Sequence, residues 1–393
     1  MLKTLVSAAS LATSALALVH PGLLHTTEDL TRIKGYVDKA EEPWNTTWTL
    51  LTSNSHAQST YKPNAQQVIY RGSDGTHSEN YRILYNDVHA AYQLAIRWHV
   101  EGAEEYANAS INILNAWSST LQAIGGNSDM FLAAGIYGYQ MANAAELMRD
   151  YSGWDAASQD KLKATFVDIF YPLNYRFLTT HNDQNAYHYW ANWDFCNLAA
   201  IMAFGVFTDN QTMYEWGRDY FLHGDGRGAI NNFIYANFTE DGTGKRLAQG
   251  QEAGRDQGHA TLDLALLGAI MQMGYNQGDD LYSVMNNSGL AAAEYVAKYN
   301  TGHDVPYTWY NSYMGNQTVI SASARYTHRP GFERLYAHYA DVKGLDASWT
   351  GLYRDEVNGN STGAVEGGGG NYGGNSGGYD DLGYGTLLYR LTA

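Results

Sequence analysis

Along most of this chain, apolar residues recur at the three- and four-residue spacing that lays one stripe along a helix. In Thr27 to Ala40 the stripe is Leu30, Ile33 and Val37, with Thr26 or Thr27 as the candidate N-cap. Pro43 opens a second helix that runs through about Leu51. Residues 54–80 are polar and aperiodic and read as an irregular surface loop. Periodic segments then follow at about 83–100, 103–121, 130–150, 155–170, 187–207, 210–222, 247–273, 280–299 and 330–342. Their connections are short, few stretches alternate as strands do, and no fixed-period repeat is visible. The pattern predicts an all-α fold, and antiparallel helix pairs on short loops favour an incomplete (α/α) toroid as one domain over residues 18–393. Residues 359–384 differ in character, with glycines at 367–370, 373–374 and 377–378 among Asn and Tyr. Apolar residues return from Leu382 to Leu391, so this Gly-rich stretch reads as a loop returning to the core.

The chain of 393 residues is 45% hydrophobic and only 16% charged, which suits a large buried core. Its net charge of −16 argues against nucleic acid or an anionic membrane surface as partner, and sits awkwardly with a polyanionic substrate. Tyrosine is abundant, 32 residues against 11 Phe and 10 Trp, and flat rings with a polar edge suit carbohydrate. Cys196 is the single cysteine, so neither an intrachain disulfide nor a cysteine metal cluster can form. Residues 1–17 have the form of a secretory signal, with Lys3, a short apolar run and Ala15-Leu16-Ala17 as the cleavage site. Sequons at Asn45, Asn108, Asn210, Asn237, Asn286, Asn316 and Asn360 fit an extracellular protein with N-linked glycans. No later apolar run reaches the length of about 18 residues that spanning a bilayer requires.

Polar chemistry gathers in three places. The densest is Gln249 to His259, which holds Glu252, Arg255, Asp256 and His259 with glycines at 250, 254 and 258. On a helix, Glu252, Arg255 and His259 would share one face, offering a carboxylate, a cation and a group that titrates near neutrality. The glycines each cost about 1 kcal/mol in a helix interior, so close approach of a neighbouring helix or a ligand is expected there. The plainer alternative is a polar helix start tied together by surface ion pairs. The second place, His181 to Asp194, mixes amides, imidazoles and indoles, with Gln184, Asn185, His188, Trp190 and Trp193 as candidate sugar-binding residues. Asn192 or Asp194 would equally serve as a helix cap. The third is Tyr307 to Tyr313, followed by Arg325 and Arg329. Motifs for zinc, a nucleophile elbow or a phosphate-binding loop are absent.

These motifs resemble those of alginate lyase and related glucuronan lyase domains. The likeness rests on Val19-His20-Pro21-Gly22-Leu23-Leu24-His25, Pro43-Trp44, Ala191-Asn192-Trp193-Asp194, Glu252-x-x-Arg255-Asp256-Gln257-Gly258-His259 and Arg329-Pro330-Gly331-x-Glu333. The chain is most similar to polysaccharide lyase family 38 and more distantly to family 5. The resemblance implies an (α/α) toroid and β-elimination on a 1,4-linked polyuronate with neither metal nor organic cofactor. Family 5 lyases carry Asn-His where this chain has Asn192-Trp193, which shifts weight to His259.

Such chemistry needs a group that neutralises the uronate carboxylate, a base for the C5 proton and an acid for the departing O4. Asn192, Arg255 and a protonated Glu252 are candidates for the first, and His259 or an ionised Tyr for the second. Tyr310, then Tyr313, is the candidate acid by similarity to related lyases. Arg329, Lys245 and Arg246 are expected beside Arg255 in a basic cleft within the acidic chain. Two rival readings remain at this stage. One is a glycoside hydrolase using two of Glu252, Asp256 and Asp194, whose carboxyls would need to stand roughly 6.5–9.5 Å apart for inversion. The other is a non-catalytic secreted carbohydrate-binding protein.

Overall fold

In the computed structural model, residues 17–360 and 379–393 are described. The expected signal segment, apart from Ala17, and most of the Gly-rich stretch at 359–384 lie outside them.

Helix Ala191–Phe207 sits at the centre, with every residue buried. No face of it is left polar, because its sequence from Leu198 to Phe207 is apolar on all sides. It packs against helices Gly138–Met148, Tyr171–Thr180, Gln211–His223 and Gln257–Asn276. Two glycines allow the tightest crossing: a Cβ on Gly205 would stand 2.4 Å from the Tyr214 backbone nitrogen, and one on Gly217 would stand 2.9 Å from Met202 Cγ. Around this centre, Tyr81–Glu101 pairs with Glu104–Thr120, and Val284–Asn300 with Ser348–Asn360. The result is the expected helical (α/α) toroid, mostly helix, with three two-stranded ribbons among the described residues.

The two ends of the chain meet. The Arg32 guanidinium donates to the carbonyls of Leu388 and Arg390, and Trp44 Nε1 donates to that of Arg390. The segment after Leu18 is strapped across the helices, with Val19 N–H donating to Gln277 Oε1 at 2.9 Å and Leu24 N–H to Asn143 Oδ1 at 2.9 Å.

The observed elements depart from the expected ones in ways that shape the site. The helix expected over 247–273 begins only at Gln257. Before it, Arg246–Gly250 is a strand paired antiparallel with Ile234–Thr239, and residues 251–255 form a turn. Asp256 is extended, with φ −169° and ψ 162°, and caps the helix by accepting from the His259 N–H. Glu252, Arg255 and His259 therefore do not share a helix face. Two of the glycines meet close neighbours: a Cβ on Gly250 would press on the Phe233 ring, at the end of the short helix Ile230–Phe233, at 2.8 Å, and one on Gly254 would press on the Tyr307 hydroxyl.

Within the loop expected at 54–80, Val68–Arg71 forms a strand parallel to Ala123–Gly126. The helix expected to end near 170 continues through a π-turn, Phe166–Phe170, into Tyr171–Thr180, with Pro172 just past the π-turn. The helix expected from 187 starts at Ala191, after a turn in which His181, Asn182 and Asp183 all have positive φ. Ser348–Asn360 is a helix that the spacing does not announce.

Candidate active site

A cleft of about 710 Å³ opens at the N-terminal ends of helices Ala191–Phe207 and Gln257–Asn276. Asn192, Trp193, Arg255, Asp256, His259, Tyr313 and Arg329 all line it. Three stretches far apart in sequence thus converge. A buried carboxylate joins the first two of them. Glu252 is fully buried, and its Oε1 accepts the Asn192 backbone N–H at 2.9 Å and the Asn192 side-chain amide at 2.6 Å. Its Oε2 accepts from Arg255 Nη1 at 2.8 Å. The neighbouring Gln251 side chain accepts the Ala191 N–H at 3.0 Å. Together these acceptors satisfy N–H groups that the helix start leaves without intrahelical partners.

Glu252 is therefore a clamp behind the cleft, with both oxygens accepting from the groups it holds. The neutral acid is Asp263, which sequence reasoning missed. Burial, then the charge of Glu252, raises its carboxyl well above the usual carboxylate range, so it carries the proton shared with Glu252. Its place seven residues beyond Asp256, inside an otherwise apolar helix, is the signal that was available.

His259 is held from the other side. Its Nδ1 lies 2.6 Å from Asp256 Oδ2, and its backbone N–H donates to Asp256 Oδ1 at 2.9 Å. Burial opposes the Asp256 charge, but the bonds from His259 and the nearby Arg255 outweigh it and hold the carboxyl below its ordinary range. An ionised Asp256 on Nδ1 fixes the tautomer whose Nε2 carries the lone pair.

The other candidates fall at different depths. Trp190 is buried, with the Arg255 guanidinium 5.1 Å above its ring, so it supports Arg255 from beneath. Trp193 lines the cleft, backed by Phe177 and Tyr189. His188 stacks on Tyr313 with ring centroids 4.7 Å apart. Gln184 borders a separate recess with His181 and Tyr220, and Asn185 is exposed, accepting the Tyr187 N–H within its own turn. Tyr310 is 2% exposed and lies outside the cleft lining; its hydroxyl accepts the Gly254 N–H at 2.9 Å. Burial drives that phenol well above its ordinary range.

The basic lining is only partly the expected one. Arg329 lies in the cleft, 2.7 Å from Asp380. Lys245 is instead committed to Glu294 and Asp346, at 3.1 and 2.7 Å, and Arg246 to Asn237 and the carbonyls of Met285 and Asn286. A third arginine, Arg71, comes from the strand missed in the polar loop, together with Glu79 and Tyr81 from the same region. The cleft also holds Asp129, raised above its ordinary range by burial against the opposing charge of Arg71. Among the described residues, no group of three His, Cys, Asp or Glu side chains is arranged to hold a metal ion.

The carboxylates named for a hydrolase do not face one another across the cleft. Glu252 is sealed behind it, Asp194 is buried and accepts the Gly228 N–H at 2.9 Å, and Asp256 is bonded to His259.

In fold, the chain is similar to an alginate lyase from Bacteroides ovatus, with a TM-score of 0.60 at 14% identity over 95% of this chain and 100% of that one. It is likewise similar to alginate lyase A1-III from Sphingomonas species A1, with a TM-score of 0.61 at 15% identity over 96% and 98% of the two chains. A variant of A1-III complexed with a tetrasaccharide gives a TM-score of 0.60 at 14% identity, over 96% and 98%. No curated protein matches the chain. A sequence model described as alginate lyase matches residues 39–305, more than half of the chain. With that match, and with Asn192, Arg255 and His259 converging in one cleft, the chain belongs to the alginate lyase family and is a polysaccharide lyase.

Proposed function

We propose that the protein is a secreted lyase that cleaves a 1,4-linked polyuronate, glucuronan or alginate, by metal-independent β-elimination. The observation that carries this reading is the pairing of two preorganised groups in one cleft: Asn192 and Arg255 clamped by Glu252, and His259 oriented by Asp256.

The uronate carboxylate sits against Asn192 and Arg255, whose donors stabilise the charge that builds on it as the C5 proton leaves. His259 Nε2 takes that proton. The electron pair left on C5 forms the C4–C5 double bond, and the C4–O4 bond breaks. The departing oxygen takes a proton from a tyrosine hydroxyl, for which Tyr313 is the favoured group because it lines the cleft and Tyr310 does not. Products are a new end on one fragment and a 4,5-unsaturated uronate on the other. The tetrasaccharide complex of alginate lyase A1-III supports an oligosaccharide-sized substrate for the shared fold.

Secretion and glycosylation rest on the segment 1–17 and on the sequons, of which Asn108, Asn210, Asn237, Asn286 and Asn316 are exposed. The cleft sets three arginines among four carboxyls, Glu79, Asp129, Asp256 and Asp380, so it is the placement of Arg255 beside Asn192, and not an excess of positive charge, that supports a polyanion. The test is incubation with glucuronan, polymannuronate and a neutral β-glucan while following the ultraviolet absorbance of an unsaturated uronate. A rise on a polyuronate alone is expected. Reducing ends released without that absorbance would overturn elimination.

A further inference from the structure

Outside the catalytic cluster, one cation stands apart. Arg227 has no hydrogen-bond or ion-pair partner among the described residues, and its Nε is buried without one. Its guanidinium lies 4.7 Å over the ring of Tyr187, and Tyr310 and Tyr235 are near enough to act on its charge. Burial pulls it below the ordinary guanidinium range, and the nearby charge of Asp194 offsets that only in part.

This arginine lies on a strip of rings that begins in the cleft. Tyr313 lines the cleft and stacks on His188. Next in sequence to His188 is Tyr187, under Arg227. The Tyr235 ring stands 5.0 Å from that of Tyr310, and its hydroxyl donates to the Trp309 carbonyl at 3.1 Å. Tyr187, Tyr235, Trp309 and Tyr313 are 51, 40, 58 and 52% exposed, so their ring faces are open to a ligand. An aromatic face stacks on a pyranose ring, and a guanidinium with free donors takes a carboxylate. A uronate unit presents both features at once.

We propose that Arg227, with Tyr187, Tyr235 and Trp309, forms an outer subsite for a uronate unit of the polymer beyond those held in the cleft. This rests on the polyuronate reading above. The subsite adds affinity for long chains and takes no part in bond cleavage.

The test compares wild type with Arg227→Gln and with Trp309→Ala, an exposed position whose loss leaves the core intact. Each is assayed on the polymer and on the shortest oligouronate that the wild type cleaves. Loss of one charge-assisted hydrogen bond predicts a fall of about tenfold in kcat/KM on the polymer, carried by KM, in Arg227→Gln. On the shortest substrate the value is expected to stay within about twofold, the size of a change in peripheral packing. Trp309→Ala is expected to show the same chain-length dependence. An equal loss on both substrates, or none on either, would overturn the subsite while leaving the lyase reading in place. If the wild type acts on no polyuronate, that reading fails, and calorimetric titration with the polymer decides the subsite by itself. Binding weakened about tenfold in Arg227→Gln upholds it, and equal or absent binding in both proteins overturns it.

Discussion

Glu252 holds Asn192 by two bonds from one carboxylate oxygen, across 60 positions of sequence, while its second oxygen holds Arg255. One buried side chain thereby sets the distance between two groups that face the cleft. Removing it takes a partner from three polar groups at once: the Asn192 amide, the Arg255 guanidinium and the carboxyl of Asp263. Glu252→Ala is expected to lose about 3–5 kcal/mol of stability, the usual cost of breaking a buried ion pair from one side. Asp263→Asn, which keeps a donor toward Glu252 without the titratable proton, is expected to stay within about 1 kcal/mol of wild type. Chemical denaturation of both variants checks this, and equal losses would show that Asp263 is not the neutral partner.

His259 depends on Asp256 for its tautomer, and the helix depends on the same residue for its cap. Asparagine caps a helix about as well as aspartate does. Asp256→Asn should therefore leave the thermal midpoint nearly unchanged. It removes the anion on Nδ1, and a fall in kcat of about a hundredfold or more is expected, within the range seen when general-base orientation is lost. His259→Ala is expected to abolish turnover with the fold intact. Retained activity in His259→Ala would take this residue out of the reaction.

The sequence carried the helical periodicity, and most helices lie where spacing puts them, because an amphipathic or apolar stripe is a local signal. The three polar stretches were legible for the same reason: residues such as Glu252 and Arg255 stand out against an apolar background. What joins them was not. The turn at 251–255 looks helical by spacing, and only the extended Asp256 and the strand pairing with Ile234–Thr239 reveal otherwise. Arg71 was hidden because a four-residue strand in a polar loop has too few positions to show alternation. The choice between Tyr310 and Tyr313 turns on where a three-residue strand, Tyr310–Ser312, gives way to its turn, and so short a segment carries no marker of that.

Those two tyrosines give separable outcomes. Tyr313 is 52% exposed and lines the cleft, so Tyr313→Phe should leave stability unchanged and lower kcat by about a hundredfold if its hydroxyl is the acid. Tyr310 is buried and accepts the Gly254 N–H. Tyr310→Phe leaves that donor without a partner, a loss of about 1–3 kcal/mol in stability, with the larger part of activity retained. Paired melting curves and initial rates distinguish them. A kcat loss in Tyr310→Phe with none in Tyr313→Phe would return the acid role to Tyr310, and losses in neither would direct attention to Tyr81 in the same cleft.

Stability is expected to fall in mild acid because of buried histidines that do not line the cleft. His25, His89 and His338 are buried, and burial lowers them to about 4, 3 and 4 respectively, helped at His338 by the charge of Lys343. Each has one ring nitrogen buried without a partner, Nδ1 in His25 and His89 and Nε2 in His338, so protonation would leave an unpaired N–H in the core. In the unfolded chain these imidazoles protonate near 6.5. Between that value and about 4 the unfolded state holds more protons than the folded one, so acid favours unfolding. Their contribution is complete above the unfolded value and is lost as pH falls toward the folded ones. Three protons correspond to a slope of about 4 kcal/mol per pH unit within that window. Urea midpoints at several pH values from 7 down to 4.5 measure it, and His338→Phe, which keeps a ring against Tyr282, should remove about a third of the slope. Midpoints that do not move over that range would show that these histidines are not buried in the neutral form.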